Sequence, residues 1–339
     1  MKILYLSLEF PRFYSARKFS YPLGIGMVEG FKNIDYVAIP ALYTQILDLP
    51  AIKAIIGDQT FDQVWLEVAH SQMSDELLTF LTEIAPIRVG FVVESLTIDP
   101  KEFVSNAVGT QRRIDNLEHK TPYLTHVVVT DERDLDYFNI PTMLGIASVP
   151  ERLVKTPNST SDNAIFYGTL YGDRNELIKN LEYTLTINPK SAEDETSLPQ
   201  SFDNLFISQW VCYNDFYMSW YQTRQALYSI WINHLHRLLG CAILNPPHRT
   251  NVLSSRVIEG MAAGKPVISP LMGNGVDDFF TDGKDIVNYS EEFELLDCLI
   301  TLATNSKLRF DIAEAARVNI LENHTTECRV KQILTFTGV

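Results

Sequence analysis

What the chain lacks narrows its functions first. No apolar run approaches the roughly 18 uninterrupted residues that cross a membrane as a helix, so no integral membrane segment is expected. Its four cysteines, Cys212, Cys241, Cys298 and Cys328, stand far apart in 339 residues. They show neither the close pairing of a disulfide framework nor the spacing of a zinc site, and free thiols in a reducing cytoplasm are the reading. Positive charge is scarce: 28 Lys and Arg stand against 42 Asp and Glu, a net charge of -14. A surface so charged repels nucleic acid and anionic membranes on average, and the pair Arg112-Arg113 is too little to reverse that. No repeat of fixed period is present. The N-terminus, Met1 to Glu9, is apolar only briefly and has no small-residue cleavage site. It reads as a first strand, not a leader.

What is there is an apolar fraction of 46%, ample for ordinary cores, on a chain long enough for two domains. Strand and helix signals alternate through the first half. Strands are expected at Ile3–Leu8, at Tyr36–Ile39 (ended by Pro40), at Phe61–Val68, at Arg88–Val93, at His126–Thr130 and near Met143–Ile146. Ser74, followed by Glu76, is placed to cap a helix running through Leu81. Gly24-Ile25-Gly26 opens a helix but lacks the third glycine of a dinucleotide fingerprint. Ser148–Asp162 is rich in Pro, Ser, Thr and Asn and reads as a linker, after which Asn163–Gly168 restarts the strand pattern. Ser219–Leu239 has helical spacing. The rhythm of the first half predicts a doubly wound, mostly parallel sheet there. The aromatic run Trp210–Trp231 is assigned to packing rather than to a sugar platform. Asp277-Asp278 has no metal-ligand spacing around it.

The densest information lies in Leu244–Pro270, LNPPHRTNVLSSRVIEGMAAGKPVISP. A short apolar run, Ala242-Ile243-Leu244, stops at Asn245-Pro246-Pro247. Ser254 and Ser255 can each cap a helix whose apolar face is Val257, Ile258, Met261 and Ala262. Gly264 stops that helix, and Pro266–Ser269 is the next strand. A loop and helix start placed in this way are where phosphates bind in open α/β sheets.

Asn245-Pro246, Ser255-Arg256, Glu259 and Ala263-Gly264 resemble the donor-sugar site of group 1 glycosyltransferases of the GT-B fold. The branch that includes CgeB-like spore maturation proteins is the most similar. Phe279–Asp285, Val287-Asn288-Tyr289, Glu291-Glu292 and the closing His324–Val330 fit as well, so that the likeness covers Gly168 to Leu334. The resemblance implies two Rossmann-like doubly wound domains facing a cleft: an acceptor-side domain at 1–152, a nucleotide-sugar domain at 163–321, and a helix at 322–339 crossing back to the first. It implies a cytoplasmic enzyme that transfers a sugar from a nucleotide-sugar donor to a sugar, glycan, protein or small-molecule acceptor, with no metal and no other cofactor.

The same resemblance assigns roles. Glu259 would hold the ribose hydroxyls, for which an ionised carboxylate is the right acceptor. Ser255 and Arg256, at the helix start, would face the diphosphate; a cation there opposes the helix dipole, and that favours a functional reason for it. Gly168 and Arg174 would approach the same phosphates, with Thr169 at a position that is often basic. Asn245 and His248 line the donor side. Retaining members often carry two glutamates separated by seven residues, and here the first of the two positions, counted back from Glu259, is filled by Asn251. An amide can bond a sugar hydroxyl but cannot act as a base. A non-catalytic glycosyltransferase-like binding or scaffold protein therefore stays open as the alternative. On the acceptor side, Glu9, His70 and Glu94 sit at strand ends, where a base for the acceptor hydroxyl would stand. His70, Glu94 and Asn251 are the catalytic candidates.

Overall fold

The computed structural model describes residues 1–9, 25–42, 46–93, 95–96, 107–167, 177, 181, 185–187, 228–246, 253–271 and 279–339. The chain divides into two compact units. The first is Met1–Pro150 with Arg249–Leu253 and Thr326–Val339; the second is Glu151–His248 with Ser254–Thr325.

The first unit is built on six strands: β1 (Lys2–Glu9), β2 (Asp35–Leu42), β4 (Gln63–Glu67), β6 (Ile87–Val92), β7 (His126–Val129) and β8 (Thr142–Leu144). They lie in the order β2-β1-β4-β6-β7-β8, and every pairing is parallel. β3 (Ile46–Leu47) and β5 (Gln72–Met73) form a small separate ladder. Side chains alternate along the strands. Leu4, Leu6, Val64 and Leu66 enter one core with Ile52 and Ile56 of α1 (Leu49–Ile56) and Leu77, Leu78 and Leu81 of α2 (Asp75–Ile84). Tyr5 and Trp65 meet the ring of Phe31 edge-on at 5.7 and 5.3 Å. The period of two, with apolar residues at both phases, marks a sheet buried on both faces.

Ser74 caps α2, accepting from the Leu77 N–H, with Asp75 and Glu76 in the first turn. Pro40 does not end β2 but lies inside it, opposite Ser7. The reason is position: β2 is an edge strand, so a residue without an N–H leaves no ladder partner unpaired. α3 (Ala107–Lys120) follows β6. The last helix, α7 (Thr326–Phe336), belongs to this unit. It is tied in by the Thr326 N–H to the Val149 carbonyl and by Gln63 Nε2 to Thr337 Oγ1 at 2.9 Å.

The second unit has five parallel strands in the order β10-β9-β11-β12-β13: β9 (Ala164–Phe166), β10 (Leu185–Ile187), β11 (Ile243–Leu244), β12 (Val267–Pro270) and β13 (Val287–Tyr289). One face packs Phe166, Leu244 and Ile268 on Leu295, Leu299 and Leu302 of α5 (Glu292–Thr304) and Ile312 of α6 (Ser306–Asn323). The opposite face carries α4 (Ser255–Ala262), buried from Arg256 to Ala262. α4 comes this close because of Gly260, whose Cβ would sit 2.9 Å from Val267 Cγ2 and 3.1 Å from Ile243 Cδ1.

The segment read as a linker is bonded into the second unit. Lys155, Asn158 and Thr160 donate their N–H groups to the carbonyls of Ala262, Gly264 and Gly240. Its polar composition reflects backbone groups that pair outside any sheet, not a lack of contacts.

Candidate functional site

Both sheets reverse their strand order once, and in open α/β sheets a ligand crevice forms at that reversal, outside the carboxyl ends of the strands. In the second unit the reversal falls between β9 and β11, since β10 lies on the other side of β9. Tyr167 follows β9, Asn245 follows β11, and the next helix, α4, brings Arg256 and Glu259 to the same place.

Ser254 caps α4, its hydroxyl accepting from the Arg256 N–H at 3.3 Å; Ser255, the first helical residue, is half-buried. The Arg256 side chain turns into the protein. Its Nε donates to the Tyr167 carbonyl at 2.7 Å and its Nη1 to Asn245 Oδ1 at 2.8 Å. Asn245 Nδ2 donates in turn to Ser269 Oγ at 2.9 Å. The guanidinium also lies 5.3 Å from the ring centres of Phe166 and Tyr167, a cation–π contact with each. Arg256 thus clamps the ends of β9 and β11 together.

One turn on, Glu259 Oε2 accepts from the Tyr167 hydroxyl at 3.1 Å and from Trp231 Nε1 at 3.2 Å. Trp231 lies in the helical stretch over 228–237, its ring edge-on to Tyr167 at 5.1 Å. Burial, and then the Glu259 charge, push the Tyr167 hydroxyl well above its ordinary pKa, so it stays a donor. Glu259 keeps 8% of its surface exposed. A buried acid held by neutral donors, beside a buried guanidinium and a helix start, is a place where polar hydroxyls and an anion can be bound together.

In the first unit the reversal falls between β1 and β4. His70 lies just past β4 and is 7% exposed. Its Nδ1 is 3.1 Å from Glu67 Oε1. The same oxygen accepts the N–H groups of Ala69 and His70, and Oε2 that of Ser71. From α3, Lys120 Nζ donates to the Val68 carbonyl at 2.8 Å and to the Ser71 carbonyl, and Asn116 Nδ2 donates to the Ala69 carbonyl at 3.1 Å. Burial alone would raise the Glu67 carboxyl. The His70 hydrogen bond, the charges of His70 and Lys120 and the Ser71 N–H outweigh it and hold it at about 2. Burial pushes Lys120 down to about 8 against the pull of Glu67.

Asn245, Ser255, Arg256 and Glu259 therefore gather around one helix start, and His70 stands at a strand end in the first unit. Gly168, Arg174, His248, Asn251 and Glu94 lie outside the described residues. Three residues of these clusters escape a sequence reading. Tyr167 is the last residue of an apolar run and looks like core. Trp231 belongs to an aromatic stretch assigned to packing. Lys120 reads as a surface cation. Glu67 did leave a signal: an acid inside Val64-Trp65-Leu66-Glu67-Val68 must be buried with partners.

Comparison with known proteins agrees with this architecture. Residues 209–335 match the family model described as "Glycosyl transferase-like". Among solved structures, the chain is similar to Anabaena Alr3699/HepE in complex with UDP and glucose, at 13% identity and a TM-score of 0.57 over 100% of both chains. It is also similar to sucrose-phosphate synthase from Thermosynechococcus elongatus, at 10% identity and a TM-score of 0.59 over 99% of this chain and 98% of that one. Against a variant of S. aureus TarM in complex with UDP, Fondaparinux and alpha-GlcNAc-glycerol, identity is 12% and the TM-score 0.51; 85% of this chain is covered but only 57% of TarM. No curated protein matches the chain. The fold is GT-B, two Rossmann-like α/β units. No helix among the described residues is long and apolar enough to cross a membrane.

Proposed function

We propose that the protein is a glycosyltransferase that takes a sugar from a nucleotide-sugar donor and passes it to a hydroxyl-bearing acceptor. The observation that carries the reading is the convergence of Asn245, Arg256 and Glu259 at the strand-order reversal of the second unit. Glu259 accepts the ribose hydroxyls, exchanging part of its present bonding to Tyr167 and Trp231 for them. The diphosphate rests at the start of α4, where backbone N–H groups and the Ser255 hydroxyl face it, and Arg256 supplies positive charge behind them. These groups, with Arg174 and Gly168, stabilise the leaving diphosphate in place of a metal. Asn245 and His248 complete the donor side, Asn251 bonds the transferred sugar, and His70 and Glu94 serve the acceptor.

A uridine nucleotide is the first donor to try, because HepE and TarM were each crystallised with UDP. The likeness in sequence to the CgeB-like branch and the acidic surface fit an enzyme of the cytoplasm acting on a sugar, glycan, protein or small molecule rather than on nucleic acid. The test is incubation with a panel of UDP-, GDP- and ADP-sugars, following free nucleoside diphosphate. Release with at least one donor is expected. Binding without release would mark a non-catalytic nucleotide-binding protein, and neither would overturn the proposal.

A further inference from the structure

The first turn of α7 buries a cation that the protein answers only in part. Arg329 keeps 2% of its surface exposed. Its Nη1 donates to Gln332 Oε1 at 2.6 Å. Its Nε and Nη2 are buried too, and neither has a hydrogen-bond partner among the described residues. The acid next to it on the helix, Glu327, is two positions away, so it does not share the Arg329 face; it pairs with Lys32 Nζ at 2.9 Å. Burial pulls the Arg329 pKa down to about 10, against a smaller pull from Cys328, so the group stays charged at neutral pH. Buried charges are ordinarily paired, because an unanswered one is costly.

The two unanswered nitrogens belong together. Nε–H and Nη2–H point the same way and form the edge of a guanidinium that receives two oxygens of one anion. The hydroxyls of Thr326 and Ser148 are also buried without a partner among the described residues. Thr326 lies three residues ahead of Arg329 and so on the same face, and helical side chains lean toward the N-terminus, which tips Arg329 toward it. Ser148 is brought alongside by its neighbour Val149, whose carbonyl accepts the Thr326 N–H at 3.0 Å. Gly30 presses on the same turn: a Cβ there would stand 2.6 Å from both the Thr326 carbonyl oxygen and Val330 Cγ2. All these residues belong to the first unit. The start of a helix adds a dipole that favours negative charge.

We propose that Arg329, Thr326 and Ser148 form a buried binding site for a tetrahedral oxyanion of the phosphate class. Two of its oxygens take the Nε and Nη2 edge. The oxygens outside that plane, which a carboxylate lacks, take the two hydroxyls. Burial of all three side chains selects inorganic phosphate over a phosphate monoester, whose organic group needs a way out. The site lies in a different unit from the diphosphate position at α4, and it does not depend on the glycosyl-transfer reading.

Differential scanning calorimetry of the full chain tests this, at pH 7 and constant ionic strength, with chloride replaced stepwise by inorganic phosphate. The wild-type Tm should rise with phosphate concentration, as mass action on a folded-state site requires. In Arg329→Met, which keeps most of the side-chain length but neither charge nor donors, that rise should be at least halved. No rise in the wild type would overturn the proposal. An equal rise in both proteins would overturn it too, being a general salt effect or binding elsewhere. If Arg329→Met does not fold, Thr326→Val keeps the shape of its side chain and should move the response to roughly tenfold higher phosphate; an unmoved response would exclude the site. Glucose 6-phosphate should raise the wild-type Tm less than inorganic phosphate does. A larger rise, again lost in Arg329→Met, would contradict the choice of the free ion.

Discussion

At the scale of single residues, the second unit uses charge to hold backbone. Arg256 bonds a strand-end carbonyl and an amide oxygen, neither of which has another donor within the cluster. Removing the guanidinium leaves both acceptors buried, at about 1–3 kcal/mol each. Arg256→Ala should therefore shift the urea midpoint of unfolding as well as weaken donor binding. An unchanged midpoint would show the clamp to be incidental. Tyr167→Phe should cost about 1.5–3 kcal/mol by the same measure, because the lost hydroxyl donates to the Glu259 carboxylate. The types and spacing of Asn245, Ser255, Arg256 and Glu259 were legible in the sequence, since they sit where a strand stops and a capped helix starts. That Arg256 turns inward was not, for no one-dimensional pattern says which carbonyl lies 89 residues away. Tyr167 and Trp231 were hidden for a related reason: an aromatic that donates one hydrogen bond has the same sequence signature as one that only packs.

At the scale of elements, α4 is defined by its two ends. Ser254 caps the start, and Gly264 ends the turn with φ +76°, its Cβ position 2.2 Å from the Thr156 carbonyl oxygen. Alanine at 264 meets both the left-handed backbone, at about 1–2 kcal/mol, and a carbonyl that must move. Gly264→Ala should lower Tm by several degrees in differential scanning calorimetry; no change would mean that segment 155–160 yields freely. Strands and capped helices of the first unit followed their sequence signals closely, as Ser74 and α2 show. The departures have physical causes. Pro40 is tolerated because β2 is an edge, and the segment 148–162 is pinned because its N–H groups find carbonyls on the second unit. α3 carries too few apolar residues to declare itself; among its described side chains, Leu117 and Lys120 are the buried ones.

At the scale of the whole molecule, the buried charges give stability a dependence on pH with a definite sign. Glu67 falls from an ordinary 4.5 to about 2 in the fold. A depressed acid contributes stability in full above its unfolded value, and that share is lost as pH falls from about 4.5 toward 2. Unfolding free energies from urea titrations at pH 5 and pH 3 should drop more steeply for the wild type than for Glu67→Gln; parallel curves would contradict this. Lys265, pushed to about 8 by burial, works in the opposite window, since its charge is disfavoured in the fold and the cost is relieved between about 8 and 10.5. The central claim is that one acid, a turn inside α4, grips an activated sugar's nucleotide. Isothermal titration of UDP-glucose into the wild-type protein and Glu259→Gln tests it most directly. Saturable binding weakened by roughly 10- to 100-fold in the variant, with the urea midpoint little changed, is the result predicted, about 1–3 kcal/mol of lost hydrogen bonding to a charged group. Equal affinity in the two proteins would contradict it.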